Sequence, residues 1–127
     1  MVTRPRPTAG ELEILRVLWR RGPSTVREVH ESLVRGRATG YTTVLKLLQI
    51  MAEKSLVTRD ESARAHVYAA RVREADTQRQ LVGDLLDRAF GGSAMKLVMH
   101  ALAARRASPA EIARLRRMLD EMEGGRR

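Results

Sequence analysis

The chain has 127 residues, of which 43% are hydrophobic but only 3% aromatic, so leucine, valine, methionine and alanine must fill the core of one small domain with an appended helical segment. Its 24 basic and 15 acidic residues give a net charge of +9, which indicates a polyanionic partner, either nucleic acid or an anionic membrane surface. The lack of cysteine excludes a disulfide framework, a thiolate metal site and a cysteine nucleophile.

The first seven residues contain two arginines and two prolines without periodicity, which predicts a flexible basic leader. No apolar run in the chain approaches the roughly 18 residues of a membrane span, so we expect a cytoplasmic protein without membrane insertion. Thr8 and Glu11 have the spacing of a capping box, which predicts a first helix that ends at the glycine and proline of positions 22 and 23. Thr25 and Glu28 repeat this spacing and predict a second helix.

The third predicted helix, residues 41–54, is amphipathic. At about 100° per residue, its apolar side consists of Val44, Leu45, Leu48, Met51 and Ala52. The opposite side carries hydroxyl, ammonium and amide groups, which are side-chain types that reach phosphates and base edges in a major groove. The residues there that we predict to bind DNA are Thr42, Thr43, Lys46 and Gln49. A helix that merely faces solvent is the plainer interpretation, but the neighbouring elements favour DNA binding.

Those neighbours are a basic connection at residues 35–40 and a strand pattern after residue 54. Residues 56–58 and 65–68 predict two strands around a turn at 60–63. Helix, helix, helix and hairpin are the order of a winged helix-turn-helix domain, a mainly α fold with a small β-hairpin. We predict that Arg64 in the wing contacts the DNA backbone or the minor groove with little base information, and that Arg37 in the connection belongs to the same class. Tyr41 is predicted to contact either the core or a phosphate.

The chain from residue 73 onwards predicts three more helices with broad apolar faces, the last of which begins at a Ser-Pro-Ala-Glu capping box. No predicted sheet covers these faces, so we expect a dimer interface with a second copy, or alternatively packing on the winged-helix domain. The sequence thus predicts a DNA-binding domain at residues 1–72 and a dimerisation domain at 73–127. The predicted dimerisation residues are Leu81, Leu85, Phe90, Leu97, Leu102, Ile112, Leu115 and Leu119.

Nothing in the sequence predicts an enzyme, a metal site or a cofactor. The histidines at positions 30, 66 and 100 lie on three different predicted elements and have no ligand spacing. No nucleophile motif surrounds any serine. The Gly-Gly-Ser stretch at residues 91–93 lacks the strand and the lysine of a phosphate-binding loop, so it predicts a turn between helices.

Six segments resemble the penicillinase-repressor and methicillin-resistance-repressor family of bacterial winged-helix regulators, in the family's order. They are ELEILRVLW (11–19), STVREVHESL (24–33), YTTVLKLLQIMAEKSLV (41–57), RAHVY (64–68), LLDRAFGGS (85–93) and SPAEIARLRRMLDEM (108–122). The resemblance implies a homodimeric repressor that binds a palindromic operator of double-stranded DNA, with helix 41–54 as recognition helix. It also implies β-lactam-resistance or cell-envelope-stress genes as targets. The alternative is a winged-helix interaction or nucleoid-coating module that binds without reading sequence.

Relatives of this kind are inactivated when a membrane sensor-protease system leads to cleavage in the dimerisation domain, so the resemblance implies a sensor-linked protease as a partner. The Asn-Phe bond that is cleaved in those relatives aligns near His100 and Ala101, and neither residue matches. Ser55 stands where many members have a glycine that ends the recognition helix. A copper-responsive branch carries a cysteine-rich C-terminal motif, which this chain lacks.

Overall fold

The computed structural model describes residues 6–34 and 39–125; the first five residues of the predicted leader and the connection at 35–38, with Arg37, lie outside the described residues. The elements in chain order are α1 (Ala9–Arg21), β1 (Ser24–Thr25), α2 (Val26–Val34), α3 (Tyr41–Glu53), β2 (Val57–Asp60), β3 (Val67–Ala70), α4 (Glu74–Ala89), α5 (Ala94–Ala104) and α6 (Pro109–Gly124). The chain divides into two compact units between Val82 and Gly83, inside α4.

The helix starts follow from the capping residues. At α1, the Thr8 amide donates to Glu11 Oε1 at 2.9 Å and the Glu11 amide donates to Thr8 Oγ1 at 3.3 Å. Thr25 and Glu28 form the same pair of hydrogen bonds before α2, at 2.9 and 3.2 Å. The hydrogen bond from the Thr25 backbone lowers the pKa of Glu28. Each box satisfies amide groups that a helix start leaves without a partner, and both predicted boxes are confirmed.

The core of the first unit is an apolar cluster in which α1, α2 and α3 pack on the small sheet. From α3 it takes Val44, Leu48 and Met51, which are fully buried, so the predicted apolar side of this helix is confirmed. Trp19 is half-buried at the edge of this cluster, and its indole N–H donates to the Val72 carbonyl at 2.9 Å. The indole therefore packs against the core while its N–H is satisfied by the backbone.

The sheet is larger than the predicted hairpin. It has three antiparallel strands in the order β1-β3-β2, and the two-residue strand β1 pairs Thr25 with Val67. β1 is too short to show alternation in the sequence, so it was not predicted. The returning strand also begins at Val67 rather than at residue 65, because the register that buries Val57 and Tyr68 ends at the pair of Asp60 and Val67. Residues 61–66 form the wing loop.

The end of α3 is a Schellman motif. The Leu56 amide donates to the Met51 carbonyl at 2.9 Å, and the Ser55 amide donates to the Ala52 carbonyl at 3.1 Å. This geometry requires a left-handed residue, and Ser55 has a φ of 65°. A side chain at such a φ is strained where glycine would not be.

The second unit holds the end of α4 together with α5 and α6. Ser93 caps α5 by accepting a hydrogen bond from the Lys96 amide, and Ser108 and Glu111 form the predicted capping box of α6. No residue of α5 or α6 is buried, and every residue of α6 is exposed. No helix among the described residues has the length and apolar character needed to cross a membrane.

Candidate nucleic-acid interface

The outward side of α3 carries four exposed polar residues, which are Thr42, Thr43, Lys46 and Gln49. Thr42, Lys46 and Gln49 follow each other at helical spacing, so they form one stripe opposite the buried leucine and valine side chains. The stripe presents hydroxyl, ammonium and amide groups and no carboxylate until Glu53 at the last position of the helix. Such a surface can donate hydrogen bonds to phosphates and to the acceptor edges of bases.

The first turn of α3 has no side-chain cap. Its N-cap residue is Gly40, which provides no side-chain hydrogen bond, and the turn contains no acidic residue. The amides at a helix start point outwards and carry the positive end of the helix dipole. An uncapped start beside Thr42 and Thr43 is therefore suited to an anionic group such as a phosphate.

The wing presents one arginine that is engaged within the protein and one that is not. Arg59 lies 2.7 Å from a carboxylate oxygen of Glu61. Its pKa is raised, first by a hydrogen bond with Tyr68 and then by the charge of Glu61. Arg64 is exposed and forms no ion pair with any residue that the structure describes. Of these two cations, Arg64 is the one available to an external anion.

A groove of about 770 Å³ connects the wing to the starts of α2 and α3. It brings together Tyr41 and Arg64, both predicted as DNA contacts, with Arg27, His30 and His66. Tyr41 is 48% exposed, and its ring meets that of His30 edge-on with centroids 6.0 Å apart. The tyrosine, which the sequence left open between the core and a phosphate, thus lies at the surface.

The sequence did not single out Arg27 or His66 as part of this groove. They come together because β1 pairs with β3, which holds the first turn of α2 beside the end of the wing. Since β1 has only two residues, no periodicity could reveal this pairing. The basic character of Arg27 was visible in the sequence, but its position was not.

The groove does not have the composition of a metal site. It contains two histidines and Glu31, but no three histidine, aspartate or glutamate side chains within the described ranges 6–34 and 39–125 are grouped so as to hold a metal ion. His30 is already engaged, because its Nε2 lies 2.9 Å from the Thr39 carbonyl oxygen. Its hydrogen bond fixes the segment that leads into α3.

The predicted dimerisation residues retain exposed surface. The most accessible of them is Leu119 on α6, which is 63% exposed. The exposed members of the set are Leu85, Leu102, Ile112, Leu115 and Leu119, and the half-buried ones are Leu81, Phe90 and Leu97. At the turn between α5 and α6, a groove of about 490 Å³ combines apolar side chains with three arginines, namely Leu102, Leu115, Met118, Arg105, Arg106 and Arg114.

The bond between His100 and Ala101 lies inside α5. The His100 ring packs on the ring of Phe90 with centroids 5.7 Å apart. A peptide bond in the middle of a helix is hydrogen-bonded in place and is not in the extended form in which proteases bind their substrates. Cleavage at this bond therefore requires local unfolding of α5.

Residues 7–121 of the chain match the model of the family described as penicillinase repressor. Over 120 residues the chain is 38% identical to a protein of Mycobacterium tuberculosis named transcriptional regulator BlaI, an alignment that covers 91% of this chain and 86% of the relative. It is 24% identical over 117 residues to the penicillinase repressor of Bacillus licheniformis, covering 92% and 91% of the two chains.

Two solved structures share the fold. The solution structure of the DNA-binding domain of the repressor BlaI superposes with a TM-score of 0.52, and the Bacillus licheniformis BlaI monomeric form in complex with the blaP half-operator superposes with a TM-score of 0.51. Each is 24% identical and covers 60% of this chain and 93% of the solved one. They confirm the predicted winged-helix fold. The match over residues 7–121 and the 38% identity show that the chain belongs to the penicillinase repressor family, whose relatives named above are transcriptional regulators and repressors and not enzymes.

Proposed function

We propose that the protein is a DNA-binding transcriptional repressor that acts as a homodimer on a palindromic operator. The observation that carries this proposal is the exposed polar stripe of α3 beside an uncapped helix start and a basic groove. Membership of the penicillinase repressor family supports it. The relative in the solved half-operator complex has the same fold, which makes α3 the helix expected in the major groove.

Sequence reading is assigned to the first two turns of α3, because the N-terminal end of a recognition helix contacts base edges. Lys46 donates to the O6 and N7 atoms of guanine, and the methyl groups of Thr42 and Thr43 pack against thymine methyl groups. Gln49 lies one turn further along, where it reaches either an adenine edge or the groove wall. These four side chains are exposed and share one side of the helix, which supports the assignment.

Backbone binding is assigned to the groove between α2, α3 and the wing. Arg27 and Arg64 supply positive charge there, and the Tyr41 hydroxyl can donate to a phosphate oxygen. Such contacts position the protein on the duplex and make the affinity dependent on salt. Arg37 belongs to the same class on sequence grounds and lies outside the described residues.

Dimerisation is assigned to the helices after the winged-helix domain, with residues 1–72 as the DNA-binding part and 73–127 as the dimerisation part. The exposed apolar faces of α5 and α6 support this assignment, because leucine and methionine side chains at this density are seldom left in water. A twofold dimer places two recognition helices on two half-sites, so the operator is expected to be palindromic.

Regulation is assigned by the family resemblance, with β-lactam-resistance or cell-envelope-stress genes as targets and a sensor-linked protease as a partner in the cytoplasm. The bond between His100 and Ala101 differs from the Asn-Phe bond of the relatives, and it lies inside a helix. A protease that relieves repression here therefore has to accept a different pair of residues.

Binding-site selection from a random DNA pool, followed by titration at fixed salt, tests the proposal. A repressor is expected to bind the selected operator at least about 10³-fold more tightly than random duplex of the same length. A nucleoid-coating or protein-interaction module gives no selected consensus and almost equal affinities. Equal affinities would therefore reject the proposed function.

A further inference from the structure

We propose that Glu11 and Lys54 are positioning residues that set the angle of the recognition helix α3, and that the sequence specificity of the protein depends on their ion pair. The proposal rests on the proposed DNA-binding function and adds residues that lie outside the polar stripe. Lys54 Nζ is 3.0 Å from both carboxylate oxygens of Glu11, which is 1% exposed.

The pair joins two ends that are far apart in the chain. Glu11 belongs to the first turn of α1, and Lys54 is the C-cap residue of α3, 43 positions later. The Glu11 carboxylate is itself held, because Oε1 also accepts the Thr8 amide of the capping box at 2.9 Å. Its three hydrogen bonds give the buried carboxylate a fixed direction, and the Lys54 ammonium follows that direction.

A second contact shows that the same parts of the two helices lie side by side. A Cβ added to Gly10 would meet Leu47 Cδ1 at 3.6 Å, an ordinary packing distance. The first turn of α1 thus packs beside α3, and the ion pair of Glu11 with Lys54 holds the C-terminal end of α3 at this contact. The Lys54 ammonium is also favourably placed at the negative end of the α3 dipole.

The apolar contacts of α3 do not fix its angle in the same way. Val44, Leu48 and Met51 hold the helix by burial, which is non-directional. Buried ion pairs contribute little to stability on average, but they can select one arrangement of packed elements. The ion pair of Glu11 with Lys54 thus selects one angle of α3 against α1.

The distance along α3 from Lys54 to Lys46 is long enough for a small tilt of the helix to disturb base contacts. Lys46 is eight residues from Lys54, about 12 Å along the helix axis at 1.5 Å per residue. A tilt of α3 by about 5° about its Lys54 end therefore moves Lys46 by about 1 Å, enough to disrupt a bidentate hydrogen bond to a base. Phosphate contacts tolerate such a shift better, because they are mainly electrostatic.

The test compares Lys54→Met with Arg21→Met in the full-length protein. Both changes remove one positive charge and one ion pair, since Arg21 lies 2.9 Å from Glu28 on the surface. Each variant is titrated with the selected operator and with random duplex at several salt concentrations. We expect Lys54→Met to reduce the ratio of operator to random-duplex affinity by about 10-fold or more, and Arg21→Met to leave that ratio unchanged.

Two further variants separate positioning from folding and from direct contact. Lys54→Arg keeps a cation that can pair with the carboxylate and should restore most of the ratio. Glu11→Gln does not alter any side chain on the outward stripe, so a loss of specificity in this variant cannot come from a lost DNA contact. Trp19 fluorescence and near-ultraviolet circular dichroism report the folded fraction, and affinities are calculated per folded protein.

Three outcomes for the variants would overturn the inference. A proportional fall in both affinities for Lys54→Met would make Lys54 a phosphate contact. An unchanged ratio in folded Lys54→Met and Glu11→Gln would leave the pair a packing feature only. A ratio that falls equally in Arg21→Met would attribute the effect to charge. If wild-type protein itself does not prefer the selected operator, the proposed function fails, and the positioning role fails with it.

Discussion

Ser55 is strained because it occupies the left-handed position of the Schellman motif that ends α3, at a φ of 65°. Glycine adopts this conformation without the contact between Cβ and the carbonyl oxygen, although it loses more chain entropy on folding. We expect Ser55→Gly to raise the free energy of unfolding by about 0.5–1 kcal/mol. Urea denaturation of the wild type and the variant measures this change in the free energy of unfolding. Ser55→Ala is the control, because it keeps the strain; an equal gain for alanine would show that φ is not the cause.

Lys46 is expected to carry base discrimination, because it lies in the second turn of α3 on the exposed stripe. We expect Lys46→Ala to weaken operator binding by about 1–3 kcal/mol and to relax the preference at one or two base positions. Binding-site selection with the variant measures this. Lys96→Ala in α5 removes the same charge from the second unit and should leave the consensus unchanged. If Lys46→Ala selects the wild-type consensus, Lys46 is a phosphate anchor.

At the scale of the element, the Leu48 side chain anchors α3 in the core. Leu48 is fully buried in the core cluster, so Leu48→Ala leaves a cavity and is expected to cost about 2–5 kcal/mol of stability. Leu48→Met conserves most of the volume and should cost less than about 1.5 kcal/mol. The urea midpoints of the two variants, compared with that of the wild type, measure these losses of stability. A small loss for alanine would mean that the site collapses around the missing atoms.

The wing is expected to contribute affinity without sequence information. Arg64→Ala removes a cation that has no ion pair with a described residue, so binding to operator and to random duplex should weaken similarly. The slope of log affinity against log salt should fall by about one unit. Arg59→Ala is the contrast, because Arg59 is engaged with Glu61 and should alter the slope less. A loss confined to the operator would make Arg64 a base-reading residue.

The sequence predicted the elements whose signals are local. The capping boxes at Thr8, Thr25 and Ser108 are four-residue patterns, and the two sides of α3 follow from a 3.6-residue period. It did not predict β1, because two residues show no alternation. The groove around Arg27 and His66 depends on the pairing of β1 with β3. The ion pair of Glu11 with Lys54 was missed for the same reason, since partners 43 positions apart share no local pattern.

At the scale of the whole molecule, the apolar side of α6 predicts association. Sedimentation should give about twice the chain mass of 14.3 kDa at micromolar concentration. We expect Leu119→Asp, at a 63% exposed position, to yield monomer and to weaken operator binding, because two linked half-site contacts become one. Arg117→Gln lowers the net charge equally on the opposite side of the helix and should remain dimeric. A monomeric wild-type protein, or a dimeric Leu119→Asp variant, would contradict the proposed interface.

The exposure of α6 also has a consequence for turnover of the protein in the cell. Isolated helices of about this length are only marginally stable in water, and no residue of the 16-residue α6 is fully buried, so we expect its order to depend on the proposed dimer. The stability of such a unit rises with protein concentration by mass action. If the proposed dimer forms, we expect the second unit to be frayed and protease-sensitive at low repressor concentration and protected by association at high concentration. We then expect the remaining molecules to be degraded faster below a threshold concentration, so that derepression begins gradually and is completed abruptly.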